Sequence, residues 1–162
     1  MTNPVIRTAN LQDVPALVLL LQDCAATMSE QGMHHWLGVY DEVSVAKNLK
    51  DKTVFVMECK KELVACVALG TKPADYYQDC WPDAPQADFY ITQLAVRPDR
   101  QGSGFGKRLI HHCLEQIGQH SLQLDAVDHY PALLAFYQSL NFEIIASGIG
   151  LGDKRHLFRY KH

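Results

Sequence analysis

The chain has 162 residues, 48% of them hydrophobic and 20% charged, with a formal net charge of −3. That is one globular domain, expected to span 1–162, with enough apolar residues for a proper core. The negative charge and the lack of any long basic run exclude a general nucleic-acid binder. The longest apolar run, Ala16–Leu21, is too short to cross a bilayer, and no basic stretch followed by an apolar one marks a signal peptide. Five scattered cysteines without a CxxC suggest neither a disulfide framework nor a zinc module, and so predict a reduced, cytoplasmic setting.

In chain order, Val5–Thr8 reads as a short strand. Leu11–Gln31 follows as a helix with Val14, Leu17, Val18, Leu21, Ala25 and Met28 at helical spacing, Asn10 as its cap and Gly32 as its stop. After the loop 32–40, Asp41 caps a shorter helix running to about Leu49. Thr53–Cys59 and Leu63–Leu69 are β-branched and apolar runs joined at hairpin length. The segment 71–87, TKPADYYQDCWPDAPQA, reads as a long loop, and such loops are usually functional or mobile.

Asp88–Val96 is the next strand, Gly104–Ile117 a helix striped by Phe105, Leu109, Cys113 and Ile117, and Ser121–Val127 a half-buried strand of alternating pattern. Pro131–Leu140 is a helix with its proline in the first turn. Phe142–Ser147 and Arg155–Tyr160 close the chain as strands around a GIGLGDK turn region. Hairpins and crossover helices together predict a mixed α/β (α+β) sheet.

The most informative stretch is RPDRQGSGFGKRL, residues 97–109, where Gly102, Gly104 and Gly106 precede a helix. Glycine is a poor helix former, but before a helix N-terminus it lets backbone N–H groups surround a phosphate with no Cβ in the way. Arg100, Lys107 and Arg108 add positive charge. Only three residues separate Gly102 from Gly106, and Lys107 is followed by arginine, so the P-loop does not fit. The spacing G-x-G-x-G is not the dinucleotide fingerprint either.

The run Gln101–Gly106 resembles the Q/R-x-x-G-x-G/A motif of the GNAT superfamily of N-acetyltransferases. ITQLAVRPDRQGSGFGKRLI is similar to that family's strand-to-loop segment nearly throughout, and LDAVDHYPALLAFYQSLNF to its later strand and tyrosine-bearing helix. The resemblance implies the GNAT fold: a central, mostly antiparallel mixed sheet with splayed fourth and fifth strands, flanked by about four helices. It also implies acetyl-CoA (coenzyme A) as donor co-substrate and no metal. The pyrophosphate is expected on Arg100, Gln101, Gly102, Ser103, Gly104, Phe105, Gly106, Lys107 and Arg108. Leu94, Ala95 and Val96 are expected to pair with the pantetheine arm, and an N–H near Leu94 to polarise the acetyl carbonyl.

Direct attack by an amine needs an acid for the leaving thiolate, and Tyr137 matches the family's helix tyrosine. Tyr90 stands where many relatives carry a carboxylate base, with Asp88 two residues earlier on the same strand face; His34 and His35 are alternatives. Asn141 replaces the family's glycine after that helix, and Tyr130 stands where relatives often have asparagine. QGMHHWLGVYD is similar to the G-x-x-x-W segment of one bacterial branch of the family. Aromatics in 32–40 and 71–87, with Asp75, Asp79 and Asp83, suit a cationic amine. His35, Trp36, Tyr40, Tyr77 and Trp81 are the acceptor-binding candidates.

The expected activity is N-acetylation of a small-molecule amine. The alternatives are a protein or peptide N-acetyltransferase and a noncatalytic acyl-CoA sensor. A homodimer is compatible with the resemblance, and no nucleic-acid or membrane partner is expected.

Overall fold

The computed structural model describes residues 3–162, which fall into two compact units. The first comprises residues up to Leu69 together with Gln93–Gln116; the second comprises Gly70–Thr92 and Ile117–His162. Seven strands and five helices are present: β1 (Val5–Thr8), α1 (Val14–Glu30), α2 (Glu42–Asp51), β2 (Thr53–Cys59), β3 (Glu62–Gly70), α3 (Tyr77–Cys80), β4 (Phe89–Val96), α4 (Phe105–Ile117), β5 (Leu122–Val127), α5 (Pro131–Ser139), β6 (Phe142–Gly150) and β7 (Asp153–Tyr160). One parallel pairing stands among antiparallel ones, so the fold is the mixed α/β class that the element order implies.

In the first unit, β1, β2 and β3 are antiparallel neighbours in chain order. The two-residue turn between β2 and β3 is made by Lys60 and Lys61, both at positive φ (52° and 67°), which matches the right-handed strand twist. A 3₁₀ turn, Leu11–Asp13, leads into α1; Asn10 and Asp13 form a reciprocal capping box around it. Arg7 grips Asp13 through two hydrogen bonds of 2.8 Å. One face of α1 then delivers Leu17, Leu20, Leu21 and Cys24 onto Val54, Val56, Cys66, Ala68 and Ala95. Asp41 and Ser44 cap α2 in the same reciprocal way.

In the second unit the strand order is β4-β5-β7-β6. β4 runs parallel to β5, and the β5–β7 and β7–β6 pairs are antiparallel. The β4–β5 register contains two pairs, Phe89↔Leu122 and Tyr90↔Gln123, and then stops. The turn between β6 and β7 is tighter than the sequence suggests, because both strands extend through the glycine-rich region and leave Leu151 (φ 50°) and Gly152 (φ 82°) as the turn.

The segment 71–87 is also more ordered than a plain loop. It folds into α3, which packs against β6. The close approach is made possible by two glycines: a Cβ on Gly148 would overlap the Cys80 carbonyl, and one on Gly150 would overlap the Cys80 sulfur. Gly148→Ala is therefore expected to lift α3 and cost about 1–3 kcal/mol. Thermal unfolding should show a Tm lower by roughly 2–10 °C; an unchanged Tm would mean that α3 is not held this closely.

Candidate active site

In the first unit the end of β4 is held by its neighbours. The Cys66 thiol lies 3.6 Å from the Gln93 carbonyl, and the Cys24 thiol 3.3 Å from that of Val96. Gln93 itself has φ 55°, so the strand leaves its regular pleat just before Leu94. Burial raises both thiols, Cys24 to about 11, and they act as small packing groups with no nucleophilic character. Beyond Val96, Arg97 is tied to Asp99 at 2.6 Å and Glu62 at 3.1 Å.

A 3₁₀ turn over Pro98–Arg100 follows, and the Ser103 hydroxyl donates to the Arg100 carbonyl. Gly102 and Gly104 have φ 84° and 82°, with open space where their Cβ atoms would stand. The requirement for glycine here is thus conformational. Arg108 N–H reaches Gly104 O at 3.1 Å, making Gly104 the first residue to engage α4. The N–H groups of the first turn after it have no intrahelical acceptor. Gly102, Ser103, Gly104, Lys107 and Arg108 are exposed, and Arg100, Phe105 and Gly106 are half-buried. Open N–H groups, the positive end of a thirteen-residue helix and Lys107 and Arg108 beside it fit a diphosphate.

In the second unit, Tyr137 on α5 is buried, its ring against Phe136, Phe142 and Phe158 at centroid distances of 5.3, 6.0 and 5.6 Å. Burial raises its phenol above the ordinary value, and the charge of Asp125 raises it further. Tyr130 occupies the cap position of α5 without a side-chain cap, and Asn141 ends the helix at φ 72°, the left-handed conformation that favours glycine or asparagine.

Asp88 is exposed at the mouth of β4. It accepts from Ser121 N–H at 3.0 Å and the Ser121 hydroxyl at 3.1 Å, with His120 at 3.3 Å. These bonds, the Ser121 N–H first, hold its carboxyl below the usual range. Tyr90 is buried, and its hydroxyl oxygen accepts the Ala87 N–H at 2.8 Å.

The acceptor candidates divide between the units. In the first, Trp36 and Tyr40 pack edge to face at 5.3 Å against the α1 core, and His35 stands 6.3 Å from Trp36. In the second, Tyr77 lies 5.0 Å from Trp81 and 5.8 Å from Tyr90. Those three rings, with Asp75 and Gln123, line a shallow crevice of about 200 Å³ under the segment 71–87.

The structure adds residues that sequence reasoning missed. The alternation of β5 reads as a buried face (Leu122, Leu124, Ala126) and a solvent face (Gln123, Asp125), but α3 covers the second. Asp125, with its side chain 7% exposed, accepts from Tyr76 at 3.0 Å, Tyr77 at 2.9 Å and Arg155 Nη1 at 3.1 Å. Arg155 also donates from Nε to Gly150 O at 2.9 Å and lies over the Tyr76 ring at 4.9 Å. Among the described residues no group of three or more His, Cys, Asp or Glu is placed to hold a metal, and no helix is long and apolar enough to cross a membrane.

Residues 50–144 match the family model of the acetyltransferase (GNAT) domain. The chain therefore belongs to the GNAT family of acetyltransferases, and it is an acyltransferase that uses acetyl-CoA. Several solved structures share the fold. A GNAT-family acetyltransferase from Streptococcus agalactiae aligns with a TM-score of 0.82 at 13% identity, over 98% of this chain and 95% of that one. The ribosomal-protein-S18-alanine N-acetyltransferase of Escherichia coli aligns at 0.71 and 19%, over 97% and 92%. The PaiA N-acetyltransferase of Thermoplasma acidophilum, solved with coenzyme A, aligns at 0.71 and 14%, over 98% and 99%. No curated protein matches the chain in sequence.

Coenzyme A at 100 times its Kd is expected to stabilise the protein by about 2.7 kcal/mol, a Tm rise of roughly 5–10 °C, while ATP leaves it unchanged. Gly104→Val, which forces a β-branched residue to φ 82°, should abolish most of that rise and also lower the ligand-free Tm by roughly 2–4 °C for each kcal/mol of strain. An equal rise in the variant would show that the loop does not hold the donor.

Proposed function

We propose that the protein acetylates a primary amine of a small molecule by direct attack on acetyl-CoA. The observation that carries this reading is the crevice under 71–87, whose floor is the last β4–β5 pair, Tyr90 and Gln123. Past that pair β4 and β5 have no further pairing with each other. A crevice of about 200 Å³ suits a small acceptor better than a polypeptide. Its one charged lining residue is Asp75, and its aromatic walls are Tyr77, Trp81 and Tyr90, a combination that favours a cation over a carboxylate-bearing molecule. In the first unit, His35, Trp36 and Tyr40 are further acceptor-binding candidates. Five buried cysteines suit work in the reducing cytoplasm.

In the reaction the amine lone pair forms the C–N bond and the C–S bond breaks, with its electron pair leaving on sulfur. Tyr137 O–H gives its proton to that thiolate. The raised phenol stays protonated in the resting enzyme, and each further unit by which it exceeds the thiol adds about 1.4 kcal/mol to the transfer. Burial offsets this, because a thiolate leaving into the same apolar surroundings is raised for the same reason. The ammonium proton leaves through water held at the Tyr90 hydroxyl, and Asp88, bound to Ser121, serves as an outer proton acceptor. On the donor side, Leu94–Val96 and the loop Arg100–Arg108 hold the pantetheine and the diphosphate.

Thiol release across a panel of primary amines, peptide N-termini and alcohols tests the reading. Tyr137→Phe should lower kcat by about 10²–10⁴ while the KM for acetyl-CoA stays close to wild type. Because the acid form is lost only as pH rises through a phenol pKa that lies above 10, wild-type kcat should show no tyrosine-dependent fall below about pH 10. Full turnover in Tyr137→Phe, or transfer to peptides alone, would overturn the assignment.

A further inference from the structure

All of the crevice lining except Tyr90 and Gln123 comes from the chain segment 71–87, and that segment is pinned to β5 at two points. At one end Gln123 Nε2 donates to Pro85 O at 2.8 Å. At the other, Tyr76 and Tyr77 donate their hydroxyls to Asp125. Gln123 and Asp125 are two residues apart on one strand and therefore share a face. Trp81 lies between the two pins along the segment, and Tyr77, which lines the crevice, belongs to the second of them.

The Asp125 pin is expensive. A buried ion pair is weak support for stability, since apolar residues of similar volume often do as well or better. Here Arg155 Nη2 has no hydrogen-bond partner although the residue is 4% exposed, so the network leaves a charged donor unsatisfied. An arrangement selected for stability alone would not keep it. What the network does achieve is geometric: four donor contacts from three side chains fix the carboxylate, and through it the rings of α3 are set relative to β5 and β7.

We propose that Asp125 is a specificity-determining positioning residue. It does not meet the acceptor, but through the hydroxyls of Tyr76 and Tyr77 it sets the aromatic wall against which the acceptor packs, and Arg155 holds it in place. The inference rests on the acceptor occupying the crevice.

The test uses the full-length protein with Tyr76→Phe and Tyr77→Phe combined, which removes both hydroxyl tethers and keeps the rings, and separately Asp125→Asn. Steady-state kinetics with n-butylamine should show an acceptor KM raised at least about tenfold and an acetyl-CoA KM within about twofold of wild type. The double variant keeps the Asp125–Arg155 ion pair, so it remains informative if Asp125→Asn, which takes the carboxylate from Arg155, fails to fold. Indole fluorescence, to which Trp81 in the crevice contributes, reads binding without turnover on titration with n-butylammonium in the absence of acetyl-CoA. That affinity should weaken in parallel with the KM. A lower Tm with unchanged acceptor KM and unchanged indole titration would make the network merely structural and overturn the proposal. If the wild type binds n-butylammonium, and the variants bind it less well, yet no amine is acetylated, the positioning role stands and the small-amine acetyltransferase reading fails.

Discussion

The parallel pairing of β4 with β5 ends after Tyr90↔Gln123, and that last pair lines the crevice of the second unit. Here β4 turns out of its pleat at Gln93, at φ 55°, and the thiols of Cys66 and Cys24 contact the carbonyls on either side of Leu94–Ala95. A positive φ at a non-glycine residue costs free energy of order 1 kcal/mol or more, and it persists only where surrounding packing over-determines it. The buried neighbours of Ala95 in the α1 core supply that packing.

The second constraint lies just downstream. A helix that opens on three glycines sacrifices local stability, and it is compensated only if its free N–H groups find an acceptor. We propose the diphosphate of the donor as that acceptor, a role that Gly102 and Gly104 suit by lying open to solvent at positive φ with nothing packed on them.

Much of this was legible in the sequence, and the reasons differ by element. α1, α2, α4 and α5 have caps or stripes that repeat over several turns, and β2 and β3 are long β-branched runs, so periodicity marks them. The loop 101–106 is legible because its glycine spacing has a mechanism. α3 was not, because a four-residue helix is shorter than any period and is stabilised by docking at Gly148 and Gly150, residues distant in sequence. The β6–β7 turn was obscured because Leu151 takes a positive φ that sequence rules reserve for glycine or asparagine. Asp125 was hidden by the same cause as α3. Alternation along β5 says that one face is polar, but only the docked segment converts that face from solvated to buried, and only then do Tyr76, Tyr77 and Arg155 converge on it. Asp88 and Tyr90 illustrate the converse: their strand and face are readable, but the Ser121 and Ala87 contacts that occupy them are tertiary.

The acceptor is the part of the chemistry that the donor loop does not constrain, so the central claim is best tested on the product itself. The purified protein, given acetyl-CoA labelled at the acetyl carbonyl and a mixture of small primary amines and peptides, is followed by mass spectrometry. Transfer of the labelled acetyl group to nitrogen of a small amine, with one free thiol released per product, is the predicted result. Label recovered only on peptides, or only as free acetate, would contradict it.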